Sequence, residues 1–236
     1  MNVVGSTIAK LADWTLYTWA GPEIAVATTK GYTTQLTVLF LLAVAMGRRL
    51  GRVDEEQYPV LLYDILRLPR LIQNAIDLNH GIPALAKKYH DSPSLFFIGR
   101  NTDWASALEG ALKMKEISYI HAESYAAGEL KHGTIALIEE GTPVIAVCCN
   151  EGLEDKTISN IVEVKARGAR VLAVAIRGDR KIVSQANDTI YIPRIHTLFT
   201  PVLAVLPMQL LAYYVAKENG CDIDKPKNLA KSVTVE

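Results

Sequence analysis

The sequence predicts an α/β protein in three layers, with helices covering both faces of a parallel sheet. Leu95-Phe96-Phe97-Ile98, Pro143 to Cys148 and Val171 to Ile176 are short, almost unbroken apolar runs, as strands buried on both faces require, and Thr189 to Ile192 adds a fourth. Between them Trp104 to Ile117 and Glu154 to Arg167 repeat at helical spacing and are long enough to cross over the sheet. With 236 residues, 50% of them hydrophobic, the chain can bury a sizeable core.

Taken in order, Met1 to Gly5 reads as the end of a strand entering a turn, so the chain is expected to begin in mid-domain. Thr28 to Leu50 is apolar on nearly every side and predicts a helix. Tyr58 to Ala86 repeats at spacings of three and four, with breaks expected at Pro69 and Pro83. Leu36 to Met46 and Val202 to Ala216 are the most apolar runs. Both fall short of the roughly 20 residues of a bilayer-spanning helix, and the second contains Pro207 and Gln209, so both read as buried helices. Their loose similarity predicts two copies of one unit. The end of one α/β domain is expected at 1–50, connecting helices at 51–85, a complete domain at 86–222 and an irregular tail at 223–236.

Composition excludes several functions. Lys and Arg number 25 and Asp and Glu 25, with no run of five basic residues, so no footprint for nucleic acid or an anionic membrane exists. The expected partner is a small molecule or another protein. Cys148, Cys149 and Cys221 form neither a disulfide framework nor a zinc set, since neighbours on a strand point to opposite faces, and a reducing cytoplasm fits them. Walker loops, dinucleotide-binding glycine triplets and nucleophile elbows are missing.

Glu109, Lys113 and Glu116 are spaced four and three apart, which puts them on one stripe of a helix. Such a stripe is either a surface ion-pair ladder or a lysine that tunes two carboxylates. Tyr119, His121, Glu123, Tyr125, Glu129, Lys131 and His132 follow closely, and His132 lies between Gly128 and Gly133 at an expected turn. Asp224 to Glu236 has no sustained apolar period and reads as a frayed terminus unless a site orders it. Val26 to Lys30, with Thr33 and Thr34, opens a buried helix with hydroxyls and free amides, a suitable place for a phosphate or sugar hydroxyls.

Ala107 to Glu123, read with Ala127-Gly128-Glu129-Leu130-Lys131-His132-Gly133, resembles the glucosamine-6-phosphate synthase family, whose enzymes are glutamine:fructose-6-phosphate amidotransferases. Asn228 to Glu236 resembles that family's C-terminus, and Thr29-Lys30-Gly31-Tyr32-Thr33-Thr34-Gln35 a signature of its first sugar isomerase (SIS) domain. The resemblance covers essentially the whole chain. Two departures are mild: Thr134 stands where the family usually has Pro, and Gly31 where it usually has Ala. The large ones are absences, of the glutaminase with its N-terminal nucleophilic cysteine and of the Ser-x-Ser-Gly-x-Thr loop that holds the sugar phosphate.

The resemblance implies a Rossmann-like SIS fold and a C-terminal isomerase fragment, inactive by itself, that needs no metal or organic cofactor. It implies Glu116 as the base moving a proton between C1 and C2 of the open-chain sugar, and Lys113 as the cation stabilising the intermediate. His132 is implied as the ring-opening histidine, supplied to the site by the other subunit of a homodimer. Lys231 is implied as the amine that condenses with C2 of fructose 6-phosphate. Val26, Thr28 and Ala230 correspond to sugar-contacting positions, with fructose 6-phosphate and glucosamine 6-phosphate as ligands. The rival reading is a non-catalytic SIS module that senses a sugar phosphate, against which the four residues Glu116, Lys113, His132 and Lys231 argue together.

Overall fold

The computed structural model describes residues 1–231. Its centre is a five-stranded, all-parallel sheet in the order β2-β1-β3-β4-β5, built from β1 (Ser94–Gly99), β2 (His121–Ala126), β3 (Pro143–Cys148), β4 (Arg170–Ile176) and β5 (Asp188–Ile192). Among the described residues, thirteen elements carry the fold besides short 3-10 turns. The helices are α1 (Thr7–Leu11), α2 (Lys30–Arg49), α3 (Gln57–Asp77), α4 (Ile82–Tyr89), α5 (Thr102–Ser118), α6 (Glu154–Lys165), α7 (Arg180–Gln185) and α8 (Thr200–Glu218).

Period-two alternation divides the sheet's side chains between two cores. Leu95, Phe97, Ile145, Val147, Leu172 and Val174 face the layer of α5 and α8, while Phe96, Ile98, Val144, Ala146, Val171 and Ala173 face the side covered by α6 and α7. Adjacent cysteines obey the same rule: Cys148 joins the second core and Cys149 the first. Burial, with nearby carboxylates, pushes the Cys148 thiol up to about 12, so it packs as an inert apolar group. The expected three-layer α/β arrangement is therefore present.

Three expectations need correction. Met1 to Gly5 is not a strand. Its backbone folds against residues 16–21 instead, with the Thr18 amide donating to the Met1 carbonyl and the Asn2 side chain bonding to Ala20 and Gly21. Pro69 does not break its helix: α3 runs through it, because burial of Leu61, Ile65, Leu68 and Leu71 along one face offsets the missing amide. The helix around Leu36 to Met46 forms but is not buried. Leu39, Leu41, Leu42 and Met46 are 38–59% exposed, since no described element packs on that face. By contrast α8 is long and apolar enough to cross a membrane and is instead the buried core helix.

The chain leaves β1 for β2 at one side and then returns to β3 at the other, so the carboxyl ends of β1 and β3 flank the point where strand order reverses. Asp103, in the first turn of α5, spans that point. Its Oδ2 accepts the amides of Cys149 at 2.8 Å and Asn150 at 2.9 Å, fixing the start of α5 to the end of β3. Burial raises the Asp103 carboxyl to about 6 against the pull of those two amides. Because its folded value lies above its unfolded one, the folded state holds the extra proton between about pH 4 and 6, and stability falls as pH rises through that window. Asp103→Asn removes this dependence. Relative to the variant, the unmodified chain should lose ~3 kcal/mol between pH 4 and pH 7. Urea unfolding of both at the two pH values measures it, and parallel profiles would contradict it.

Candidate functional site

Helix α5 is set close against the sheet and α8 by Gly110. A Cβ there would meet Met208 Sδ at 2.6 Å and Phe97 Cε1 at 3.0 Å, so the absent side chain allows the approach. Ala107, Ala111, Met114 and Ile117 fill the apolar side. The polar stripe begins beside them. Lys113 Nζ donates to Glu116 Oε2 at 2.5 Å and lies 3.4 Å from Glu109 Oε1. The three side chains are 4%, 23% and 10% exposed, which is not the geometry of a solvated surface ladder.

Glu109 is the strained member. Burial raises its carboxyl most, the Lys113 ammonium lowers it, and Glu116 adds like-charge repulsion, with a net upward shift. Its Oε1 is buried without a hydrogen-bond partner. Burial and the Glu109 charge together hold up the phenol of Tyr32, so the first turn of α2 feels the same cluster. The arrangement is one cation shared by two carboxylates of different burial, and it can hold or pass a proton.

The N-terminus of α2 differs from expectation. Its amides are not free for a phosphate, because Glu23 Oε1 accepts Gly31 N at 3.0 Å and Thr29 N at 3.2 Å, while Thr28 Oγ1 donates to Glu23 Oε2 at 3.4 Å. Gly31 makes room for this: a Cβ would stand 2.7 Å from Glu23 Oε2. Burial works to raise the Glu23 carboxyl, but the amides of Gly31 and Thr29 and the charge of Lys231 outweigh it and hold it low. Sequence reading missed Glu23, a lone carboxylate after Gly-Pro with no periodic or motif signal.

Lys231 is brought to this loop. Its Nζ donates to Ala25 O at 3.1 Å, to Val26 O and Glu23 Oε2 at 3.4 Å, and to Thr28 Oγ1 at 3.5 Å. Lys231 thus joins Val26 and Thr28, while Ala230 beside it is exposed. Its described hydrogen bonds do not include Lys113 or Glu116. The tail before it is ordered, with the Val26 amide donating to Asp224 O at 3.0 Å and Pro226 buried. Residues 232–236, the end of the expected catalytic tail, lie outside the described residues.

His132 stands apart from both groups. It ends a short 3-10 turn, Leu130–His132, and its exposed ring lies 3.8 Å from Glu129 Oε2. Gly133 follows at φ 157°, so the turn placed there by sequence exists. Strand β2, which carries His121, Glu123 and Tyr125, was not anticipated, because an edge strand of the sequence His-Ala-Glu-Ser-Tyr-Ala lacks an apolar run. Among the described residues no group of three or more His, Cys, Asp or Glu side chains could hold a metal ion.

The fold is an open, parallel α/β sheet with a buried lysine–carboxylate cluster on a covering helix. The SIS domain family model matches residues 88–217, and the chain belongs to the SIS domain family. It is 54% identical, over its whole length, to the glutamine–fructose-6-phosphate aminotransferase (isomerizing) of Symbiobacterium thermophilum and 52% identical to that of Clostridium tetani. The chain spans 39% of the length of each. Among solved structures it is similar to the C-terminal domain of glucosamine-fructose-6-phosphate aminotransferase from Francisella tularensis, with a TM-score of 0.91 and 36% identity, over 95% of this chain and 64% of that one.

The cluster makes a stability prediction. Lys113→Met leaves Glu109 and Glu116 beside each other with no cation and should cost roughly 3 kcal/mol at pH 7. Without the ammonium, which lowers it, the Glu109 carboxyl rises further above its unfolded value, so the folded state binds that proton more readily and the loss should shrink on acidification to pH 5. Chemical denaturation at both pH values tests this, and an equal loss at each would refute it.

Proposed function

We propose that this chain is the isomerase part of a glutamine–fructose-6-phosphate aminotransferase, the enzyme that converts fructose 6-phosphate and glutamine to glucosamine 6-phosphate and glutamate, and that it is inactive by itself. The observation that carries this reading is the Glu109–Lys113–Glu116 cluster, buried on one helix of an SIS fold, together with whole-chain identity above 50% to enzymes of that name. In this reading residues 1–50 close a first SIS domain, 51–85 connect, 86–222 form the second and 223–236 are the catalytic tail.

The chemistry assigns one task to each residue. The Lys231 amine adds to the C2 carbonyl of the open-chain sugar, and water leaves as the imine forms. Ammonia displaces the lysine, giving the sugar imine and the free amine. Glu116 takes a proton from C1 and returns it to C2, so the product is the amino aldose. Lys113, within hydrogen-bond reach of Glu116, stabilises the charge that develops between the two transfers. His132 opens the sugar ring from the neighbouring subunit. Its exposed ring supports that role, as the uncovered apolar face of α2 supports a homodimer. Val26, Thr28 and Ala230 contact the sugar. Neither a metal nor an organic cofactor enters these steps. Free cysteines favour a cytoplasmic setting.

Borohydride reduction with fructose 6-phosphate, on the chain extended upstream to the length of its relatives, tests the reading. Peptide mass spectrometry should locate the reduced adduct on Lys231. An adduct on Lys113 or Lys227 would overturn the assignment.

A further inference from the structure

Tyr119 occupies a costly position for its residue type. It caps α5 in the left-handed region, at φ 61° and ψ 10°, where glycine or asparagine is at ease and a tyrosine costs on the order of 1 kcal/mol. Its side chain does not simply fill the core. The Lys227 amide donates to Tyr119 Oη at 2.7 Å, and the Lys227 ammonium stands 4.3 Å from the ring centre. One side chain therefore accepts the tail's backbone and also holds its charge. Tyr119 follows Glu116 by three residues, and Lys227 precedes Lys231 by four.

We propose that Tyr119 is a positioning residue, a clamp that fixes the C-terminal tail to the end of the helix bearing Lys113 and Glu116 and so sets where the Lys231 amine can reach. This rests on the reading of Lys231 given above. Four residues extend at most about 14 Å, so a tail held at Lys227 keeps Lys231 within that radius of the clamp. The next backbone anchor upstream is Asp224, bound to Val26, from which seven residues reach about 24 Å. Releasing the clamp lengthens the arm and lowers the local concentration of the amine at the sugar roughly twofold, before any loss of orientation.

Two variants separate the clamp's parts. Tyr119→Phe removes the hydroxyl acceptor and keeps the ring, whereas Lys227→Met keeps the amide and removes the charge without touching α5. Amide exchange at Lys227, followed by NMR on the 236-residue chain, should quicken about fivefold in Tyr119→Phe. On the upstream-extended chain, the rate of borohydride-trapped adduct formation at Lys231 should fall twofold to tenfold in Tyr119→Phe and by less in Lys227→Met. The sugar concentration giving half-maximal trapping should stay unchanged in both. Unchanged exchange in Tyr119→Phe, or faster exchange with an unchanged trapping rate, would overturn the proposal. An adduct on another lysine in the unmodified protein, with the Lys227 amide still released by Tyr119→Phe, would overturn the role of Lys231 while sustaining the clamp.

Discussion

The Lys113 ammonium, almost wholly removed from water, constrains everything around it. A buried cation with one partner would be costly, and here two carboxylates on its own helix share it at 2.5 and 3.4 Å. Helical spacing makes that sharing possible without help from another element, since residues three and four apart lie on the same face. The neighbouring turn of α5 has to be apolar and tightly seated, because the cluster is kept dry by packing on α8 and β1. Gly110, Met208 and Phe97 meet where the stripe turns inward. In the proposed function, a stability requirement and a chemical one meet in Glu109, Lys113 and Glu116.

From that constraint the placement of the rest follows. The parallel sheet carries α5 across its first strand, and Asp103 locks the helix start to the end of β3 across the point of strand reversal. At the other end of α5 the chain turns through Tyr119, whose left-handed backbone aims the ring at the tail. Glu23 gathers the α2 amides, Thr28 and Lys231 at one carboxylate. Two polar clusters result, one on α5 and one at the start of α2, with Tyr32 electrostatically coupled to Glu109 between them.

Much of this was legible in the amino-acid order. Strands β1, β3 and β4 announce themselves because burial on both faces leaves no polar side chain between their first and last residues, and the α5 stripe because its spacing matches the helical turn. Other features depend on contacts that local pattern does not encode. β2 is an edge strand and carries polar side chains that mask its period. Periodicity could assign α2 as an apolar helix but could not say which neighbour would cover it. Glu23 meets Lys231 across 208 residues of sequence, so neither segment signals the other. The tail read as frayed because its anchors are backbone groups, one proline and an aromatic ring, none of which makes a hydrophobic period.

The central claim is that Glu116, held by Lys113, moves the proton between C1 and C2 of the sugar. Proton NMR of fructose 6-phosphate in deuterated water, with the chain extended upstream to the length of its relatives, observes that transfer without the ammonia step. The account predicts deuterium uptake at C1 with the unmodified protein, and a rate at least ~100-fold lower with Glu116→Gln, whose amide keeps the shape and loses the basicity. Uptake by Glu116→Gln at the unmodified rate would contradict it and would return the cluster to a purely structural role.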